Sequence, residues 1–470
     1  MRNIIFKLIL TLLVINKLPV QAQNKFNSYS IKDENLKNIF KFEDESNKKN
    51  ILILKYKETS SFVLFDENYN EEIVFNGENS KENFIGFSFY NETYYAYSQK
   101  NKTIIEVEDI DFKNKRKSVT SIILNLEKKE RIITAFNKNN RFIVITYIRN
   151  CNLLNVYFLK GKNVEKKSID FSKVRLIDSF NKTTTLSNFI EEQDDIIYRN
   201  MFSVINPNSN FSNIINATQK KKIYVLDDKL VLSSDVNSSY SQYIFINLND
   251  FSVLQKSFTK GLDLSAETNS FLINDRIFIL KFSNENALIT IKNLEDILLK
   301  SINISGSLGH DYINSELIEE NGSYTDREVI DNKTKFFRRI DGKNPSISGS
   351  YKNNQYDLTI AGVSYPQQNT FQLGMFGALG AIIGELISYN SQNSIQSFTD
   401  KKVLYFTSTI NSEKLLSLNE NNPKSGFNEL RAFMENKETK DAFLEPFDLN
   451  GKLILIGYDK KNNKLNFYKF

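Results

Sequence analysis

Short apolar strands, each entered from an Asx turn and a basic residue, recur along this chain, and the recurrence limits what it can fold into. Asn139-Asn140-Arg141 opens Phe142–Ile145, and Asn274-Asp275-Arg276 opens Ile277–Leu280. Asp227-Asp228-Lys229 and Asn450-Gly451-Lys452 open Leu230–Leu232 and Leu453–Ile456. A polar turn and a second strand usually follow. Strand starts at Ile51, Thr93, Arg141, Lys229, Arg276, Lys402 and Lys452 are separated by 42, 48, 88, 47, 126 and 50 residues. Reading 88 as two units and 126 as three gives a period of about 40–50 residues, the length of a four-stranded blade. Such a blade cannot bury its own faces, so blades stack around an axis. The expected fold is an all-β propeller of seven or eight blades, in which Lys452–Phe470 pairs with the N-terminal strand to close the ring. Tandem sandwiches share the strand spacing but not the repeat unit.

Convincing helices are scarce, and the turns are built from Asn and Asp, as in Asp66–Asn70 and Asp459–Asn463. Both residues tolerate left-handed backbone and bond their own main chain, so they replace Gly. Two stretches break the pattern. Asn181–Asn216 reads as a blade with a long insertion, and Ser305–Ser350 as a degenerate blade with long loops.

Met1–Ala22 reads as an export signal: Arg2 and Lys7 precede the apolar Leu8–Ile15, and Val20-Gln21-Ala22 supplies small residues at the cleavage site. It carries three of the basic residues and no acid, so the net charge of +5 falls to +2 after its removal. That leaves residues 23–470 as one propeller-like domain, located in the periplasm, at the outer membrane or outside the cell. A charge near +2 argues against a nucleic-acid partner. The basic runs Lys113–Lys117 and Gln219–Lys222 read as solvated turns.

Much chemistry is excluded by count. There is one His (His310), one Cys (Cys151) and no Trp. No disulfide within the chain, cysteine zinc site, P-loop or dinucleotide fingerprint can be drawn. No cofactor, metal or catalytic residue is expected. Carboxylate pairs remain, since a glycosidase needs two acids about 5–9 Å apart. Asp194/Asp195, Glu191/Glu192, Glu319/Glu320 and Asp326/Glu328 are near in sequence, but neighbouring acids point in different directions. Asp66-x-Asn68-x-Asn70-x-Glu72 imitates half a calcium loop, yet Glu71 stands where that loop needs Gly and Gly77 where it needs an acid. A hairpin turn is the better reading.

Phe371–Ile387 is unlike the rest. Gly374, Gly377, Gly380 and Gly384 recur at three and four residues and would share one face of a helix near 371–388. Such a stripe lets another backbone approach closely. The first reading is a buried apolar helix packed across a blade edge or a propeller face; the alternative is a docking element for a partner or membrane that also uses Phe371 and Phe376, and 17 residues broken by Gln372 and Glu385 are short for a spanning helix.

On its leader and strand texture the chain resembles the exported propeller-like proteins of AT-rich Gram-negative bacteria. The resemblance implies a binding or scaffold protein of the envelope that works through propeller-face loops. The competing readings are a carboxylate hydrolase with its site in the central funnel and a membrane-associated assembly factor that uses the Gly-rich helix.

Overall fold

The computed structural model describes residues 25–31, 36–44, 46–78, 84–101, 103–192, 202–205, 214–226, 228–261, 267–283, 285–321, 326–364, 401–418, 430, 433, 442–443, 447–449 and 452–470. Seven sheets of four or five strands dominate them. Blade one holds β2 (Asn38–Asp44), β3 (Lys49–Lys55), β4 (Thr59–Phe65) and β5 (Glu71–Glu78). Blade two holds β6 (Phe84–Tyr90), β7 (Thr93–Gln99), β8 (Ile104–Asp111) and β9 (Arg116–Ile123). Blade three holds β10 (Glu130–Lys138), β11 (Arg141–Ile148), β12 (Leu153–Lys160) and β13 (Asn163–Asp170). A small ribbon, β14 (Leu176–Ile177) with β15 (Thr183–Thr184), and helix α1 (Leu186–Glu191) follow.

Blade four is β16 (Ser203–Ile205), β17 (Lys221–Val225), β18 (Lys229–Ser234), β19 (Tyr240–Asn247) and β20 (Val253–Thr259), with helix α2 (Ile214–Thr218) between its first two strands. Blade five is β21 (Thr268–Ile273), β22 (Arg276–Phe282), β23 (Asn286–Asn293) and β24 (Leu298–Ser305). Blade six contains β25 (Ile318–Asn321) and β26 (Arg327–Val329). Helix α3 (Lys333–Ile340) then leads into β27 (Asn344–Lys352), β28 (Gln355–Ser364) and β29 (Lys402–Asn411). Its outer strands β25 and β26 precede its inner strand β27 in the chain, so β25 pairs with β29. In blade seven, β30 (Ala442–Phe443) and β31 (Phe447–Leu449) both pair with β32 (Lys452–Asp459), and β33 (Lys464–Lys469) follows. The outermost strand of that sheet is β1 (Lys25–Ser30), paired antiparallel with β33. This is a β-propeller of seven blades among the described residues, and its first and last strands share one sheet, as the sequence predicts.

Burial follows the radius. Every residue of β17 and β21 is buried, whereas β9 has no buried residue and β13 has one. The space between blades is filled by Ile and Leu together with Phe and Tyr. Neighbouring blades meet through Phe42–Phe87 (ring centroids 5.1 Å), Tyr97–Phe142 (5.1 Å), Phe158–Phe251 (6.2 Å), Tyr224–Phe271 (5.5 Å), Phe278–Tyr356 (5.2 Å) and Tyr69–Phe467 (4.6 Å). Each such pair contributes about 0.5–1.5 kcal/mol beyond the area it buries. The seam between blades two and three is tight enough to require Gly86, where an added Cβ would lie 2.0 Å from the Phe142 ring.

Turn chemistry matches the sequence reading. Nine of the sixteen described non-Gly residues with positive φ are Asn. Asn139-Asn140 and Asn353-Asn354 hold φ near +50° to +60° at both positions, the first joining β10 to β11 and the second β27 to β28. This is the two-residue hairpin geometry that matches strand twist.

The long intervals need correction. The steps of 88 and 126 residues are not two and three blades. Arg141 opens β11 of blade three and Lys229 opens β18 of the next blade, four, while Lys402 opens β29 of blade six, directly after blade five. Asn181–Asn216 is not a blade of its own. Its described parts supply β15, α1, β16 and the start of α2, while Ser305–Ser350 supplies β25, β26, α3 and most of β27. An insertion lengthens a loop at little entropic cost, so spacing alone does not count blades. Met1–Ala22 and Phe371–Ile387 lie outside the described residues.

Candidate functional site

The inner wall of blades four to six is polar and closed. Helix α2 lies against β16, β27 and β28. Ser346 Oγ donates to Ile214 O at 2.6 Å, Ser203 Oγ to Asn216 O at 2.8 Å, and Asn269 Nδ2 to Thr218 O at 2.8 Å and Pro345 O at 2.9 Å. Its apolar residues Ile214 and Ile215 pack on the face of blade six that turns away from blade five, against Ala361, Val363 and Tyr405.

Beside this wall, blades four and five share a buried charged centre. Asp235, just after β18, receives Ser241 Oγ (2.6 Å), Ser270 N (2.9 Å) and Ser270 Oγ (2.8 Å). Lys222 lies 3.3 Å and Lys260 3.6 Å from its oxygens, and the three side chains are at most 2 % exposed. Burial alone would raise the Asp235 carboxyl, but Lys260, Lys222 and the two serines hold it well below the carboxylate range. Burial pulls the Lys222 ammonium down to about 8 against the attraction of Asp235. The run Gln219–Lys222 is therefore not a solvated turn. Lys222 also donates to Asn269 Oδ1 at 2.6 Å, and Lys221 donates to the Phe189 and Ile190 carbonyls that end α1. The signal available in the sequence was the alternation of Lys with Ile223 and Val225 at the start of a strand.

The carboxylate pairs do not converge. Glu319 binds Lys402 and Arg339, whereas Glu320 accepts from Tyr405 Oη at 2.8 Å on the opposite face of β25. Burial opposes ionisation of Glu319, but Lys402 and Arg339 hold its carboxyl below the usual range. Glu191 accepts from Tyr147 Oη and Arg149 Nε, both at 2.8 Å, while Glu192 caps Ser179 N at 2.8 Å. Glu328 lies 3.4 Å from Arg339. Asp194 and Asp195 lie outside the described residues. Among the described residues no group of three or more His, Cys, Asp or Glu could hold a metal.

Open volume is found at the closure seam, where β1 passes the β4–β5 turn. A groove of about 390 Å³ is lined by Asn27, Ser28, Tyr29, Ser30, Tyr69 and Glu71, among others. The calcium-like stretch forms one wall as an Asx turn. Asp66 Oδ1 accepts from Asn68 N and Asn70 N at 2.8 Å, and Tyr69 sits at φ 59°. Asn27 ties β1 to this turn by donating to Tyr69 O. A bulge between Lys25 and Asn27 turns Phe26 toward Tyr69, with ring centroids 5.8 Å apart. Burial, with Glu71 and Tyr56 adding to it, pushes the Tyr29 phenol up to about 12. The groove therefore offers hydroxyls, amides, aromatic edges and the single carboxylate Glu71. Sequence reasoning missed it because its two walls are 40 residues apart.

The expected docking residues Phe371, Gly374, Phe376, Gly377, Gly380 and Gly384 lie outside the described residues. Among those described, no helix is long and apolar enough to cross a membrane. His310 sits in an exposed single turn against Lys333. Cys151 is exposed in the β11–β12 turn.

No protein-family model and no curated protein sequence matches the chain. Among solved structures it is similar to the WD40 domain of SCAP from fission yeast (TM-score 0.33, 10% identity, covering 95% of this chain and 87% of that one). It is also similar to a prolyl endopeptidase (TM-score 0.34, 7% identity, covering 94% and 49%). A third likeness is to dihydro-heme d1 dehydrogenase NirN (TM-score 0.26, 13% identity, covering 70% of this chain), of whose length the chain spans 63%. Likeness at this level says nothing of activity, and the propeller assignment stands on the sheet topology.

Proposed function

We propose that the protein is an exported binding or scaffold protein of the bacterial envelope that works through its surface loops and the closure-seam groove, and that it does not catalyse. The observation that carries this reading is how the acids are used: Glu191, Glu192, Glu319, Glu320 and Asp235 each serve a separate structural contact. The open groove holds amides, hydroxyls and aromatic rings instead. Such groups orient a polar ligand but do not supply an acid and a base.

The test is capture from native envelope with the mature chain as bait, beside Ser30→Trp, which fills the groove from an exposed strand position. Retention of a defined component by the wild type and its loss in Ser30→Trp supports the reading. Equal retention by both removes the groove from it. The export half is tested separately by the N-terminus of the protein recovered from cells. Cleavage after Ala22 leaves Gln23 first, and an intact Met1 would overturn it.

A further inference from the structure

The near-neutral total conceals a strong separation of charge. Residues 113–175 contain sixteen Lys and Arg against four Asp and Glu, so the rest of the chain, with forty-five against fifty-two, is net acidic. Compositional bias raises Lys along the whole chain and cannot concentrate it in one sector. Thirteen of the sixteen are exposed. They occupy the β8–β9 turn, β9, blade three and the loops on either side of blade three.

Part of this charge gathers at one edge. The β8–β9 and β12–β13 turns occupy the same hairpin position in adjacent blades, and contacts hold them side by side. Lys162 pairs with Asp109 of β8, and the Lys160 ammonium lies 4.7 Å from the centre of the ring of Tyr90, which ends β6 in the same blade. Lys113, Lys115 and Arg116 stand on the blade-two turn, and Arg141 enters β11 at the same end of blade three. The acids facing them, Glu92, Asp109, Asp111 and Glu165, are fewer. Asp111 is engaged by Asn114 and Glu165 by Lys167.

We propose that this edge, carrying Lys113, Lys115, Arg116, Arg141, Lys160 and Lys162, docks the protein onto an anionic membrane surface through lipid phosphates. Two features favour a surface over a folded or polymeric partner. Four of the six charges are lysine ammoniums, which bind phosphate as point charges without bidentate geometry. The adjoining outer strands β9 and β13 also expose Val119 (46 %) and Val164 (37 %). Lysines interspersed with exposed apolar groups suit the headgroup boundary, where each cation near the surface adds to binding. The inference adds a partner to the binding reading and is separable from it, because the edge is remote in sequence from the groove residues and Ser30→Trp leaves vesicle binding unchanged.

The experiment is flotation of the mature chain with phosphatidylcholine vesicles and with vesicles that also contain phosphatidylglycerol, at low and at physiological salt. Binding is expected only to the anionic vesicles and falls as salt rises. Lys115→Glu/Arg116→Glu/Lys162→Glu lowers partitioning at least about tenfold. The control Lys229→Glu/Lys460→Glu, on exposed positions of blades four and seven, changes it little. Binding to neutral vesicles, insensitivity to salt, or equal loss in the control would overturn the proposal. Tighter binding to polyphosphate or duplex DNA than to vesicles would overturn it as well, and assign the edge to a polymer. The wild-type salt and lipid arms decide the matter even if the charge-reversed variant fails to fold.

Discussion

The seam between blades two and three and the seam between blades four and five solve one packing problem in opposite ways. The buried tie at the first is neutral. Tyr97 stacks on Phe142, and its hydroxyl bonds Gly161 O at 2.8 Å and Ser88 Oγ at 2.6 Å, while Gly161 N donates to Ser88 Oγ at 3.0 Å. The second places Tyr243 Oη 2.8 Å from Ser270 Oγ, a similar tyrosine–serine tie, but joins it to Asp235, Lys222 and Lys260. A neutral tie loses little when one partner is removed. A buried ionic tie loses much, because the remaining charge has nowhere to go. Both seams thus pack aromatic rings among aliphatic side chains, whereas sensitivity to mutation and acid is concentrated at the second.

The largest effect should come from Asp235→Ala, which leaves two buried ammonium groups without their carboxylate. Urea unfolding should show a loss of about 3–5 kcal/mol. A loss near 1 kcal/mol would mean the seams do not differ in kind. The same residue sets an acid limb. Its folded-state carboxyl lies below its unfolded value, so the unfolded chain binds more protons, and the stability is present above the ordinary carboxylate range and lost as pH falls below about 4. Asp235→Asn should flatten that limb in a pH series of melting temperatures, and an unchanged limb would assign it to other acids.

Next comes Gly86→Ala at the neutral seam. Phe142 must move to admit the methyl group, at a cost of about 1–3 kcal/mol, and wild-type stability would mean that the ring shifts freely. The smallest effect belongs to Tyr97→Phe, which keeps the ring stack and removes one hydroxyl. About 1 kcal/mol is expected, and a loss matching that of Asp235→Ala would erase the contrast.

Middle strands were legible in the sequence, and the outer strands and most inner strands were not. Arg141–Ile148 and Arg276–Phe282 read as strands at the bounds they adopt, because both faces are buried and β-branched and aromatic residues crowd there. Asn163–Asp170 is just as much a strand, yet NVEKKSID shows neither alternation nor an apolar run. With one buried residue, its ladder bonds to β12 hold it. Ring closure was legible for a different reason: two strand-like ends need partners. The Asp235 centre was not, since Lys222, Asp235 and Lys260 are far apart in sequence and each alone looks solvated. Charge averaging likewise hid the basic sector of blades two and three, because an acidic remainder cancels it in the total.

The pairing of Lys25–Ser30 with Lys464–Lys469 has a consequence in time. The N-terminal strand β1 waits for β33, more than 400 residues later in the chain, so the ring cannot be completed before β33 has been made. Joining ends over 400 residues apart costs about 5 kcal/mol of chain entropy beyond the fixed term, and contacts of such sequence separation form slowly. Until then blade seven lacks its outer strand and β33 offers an open edge. A chain shortened by even its last six residues would keep six blades and lose the clasp.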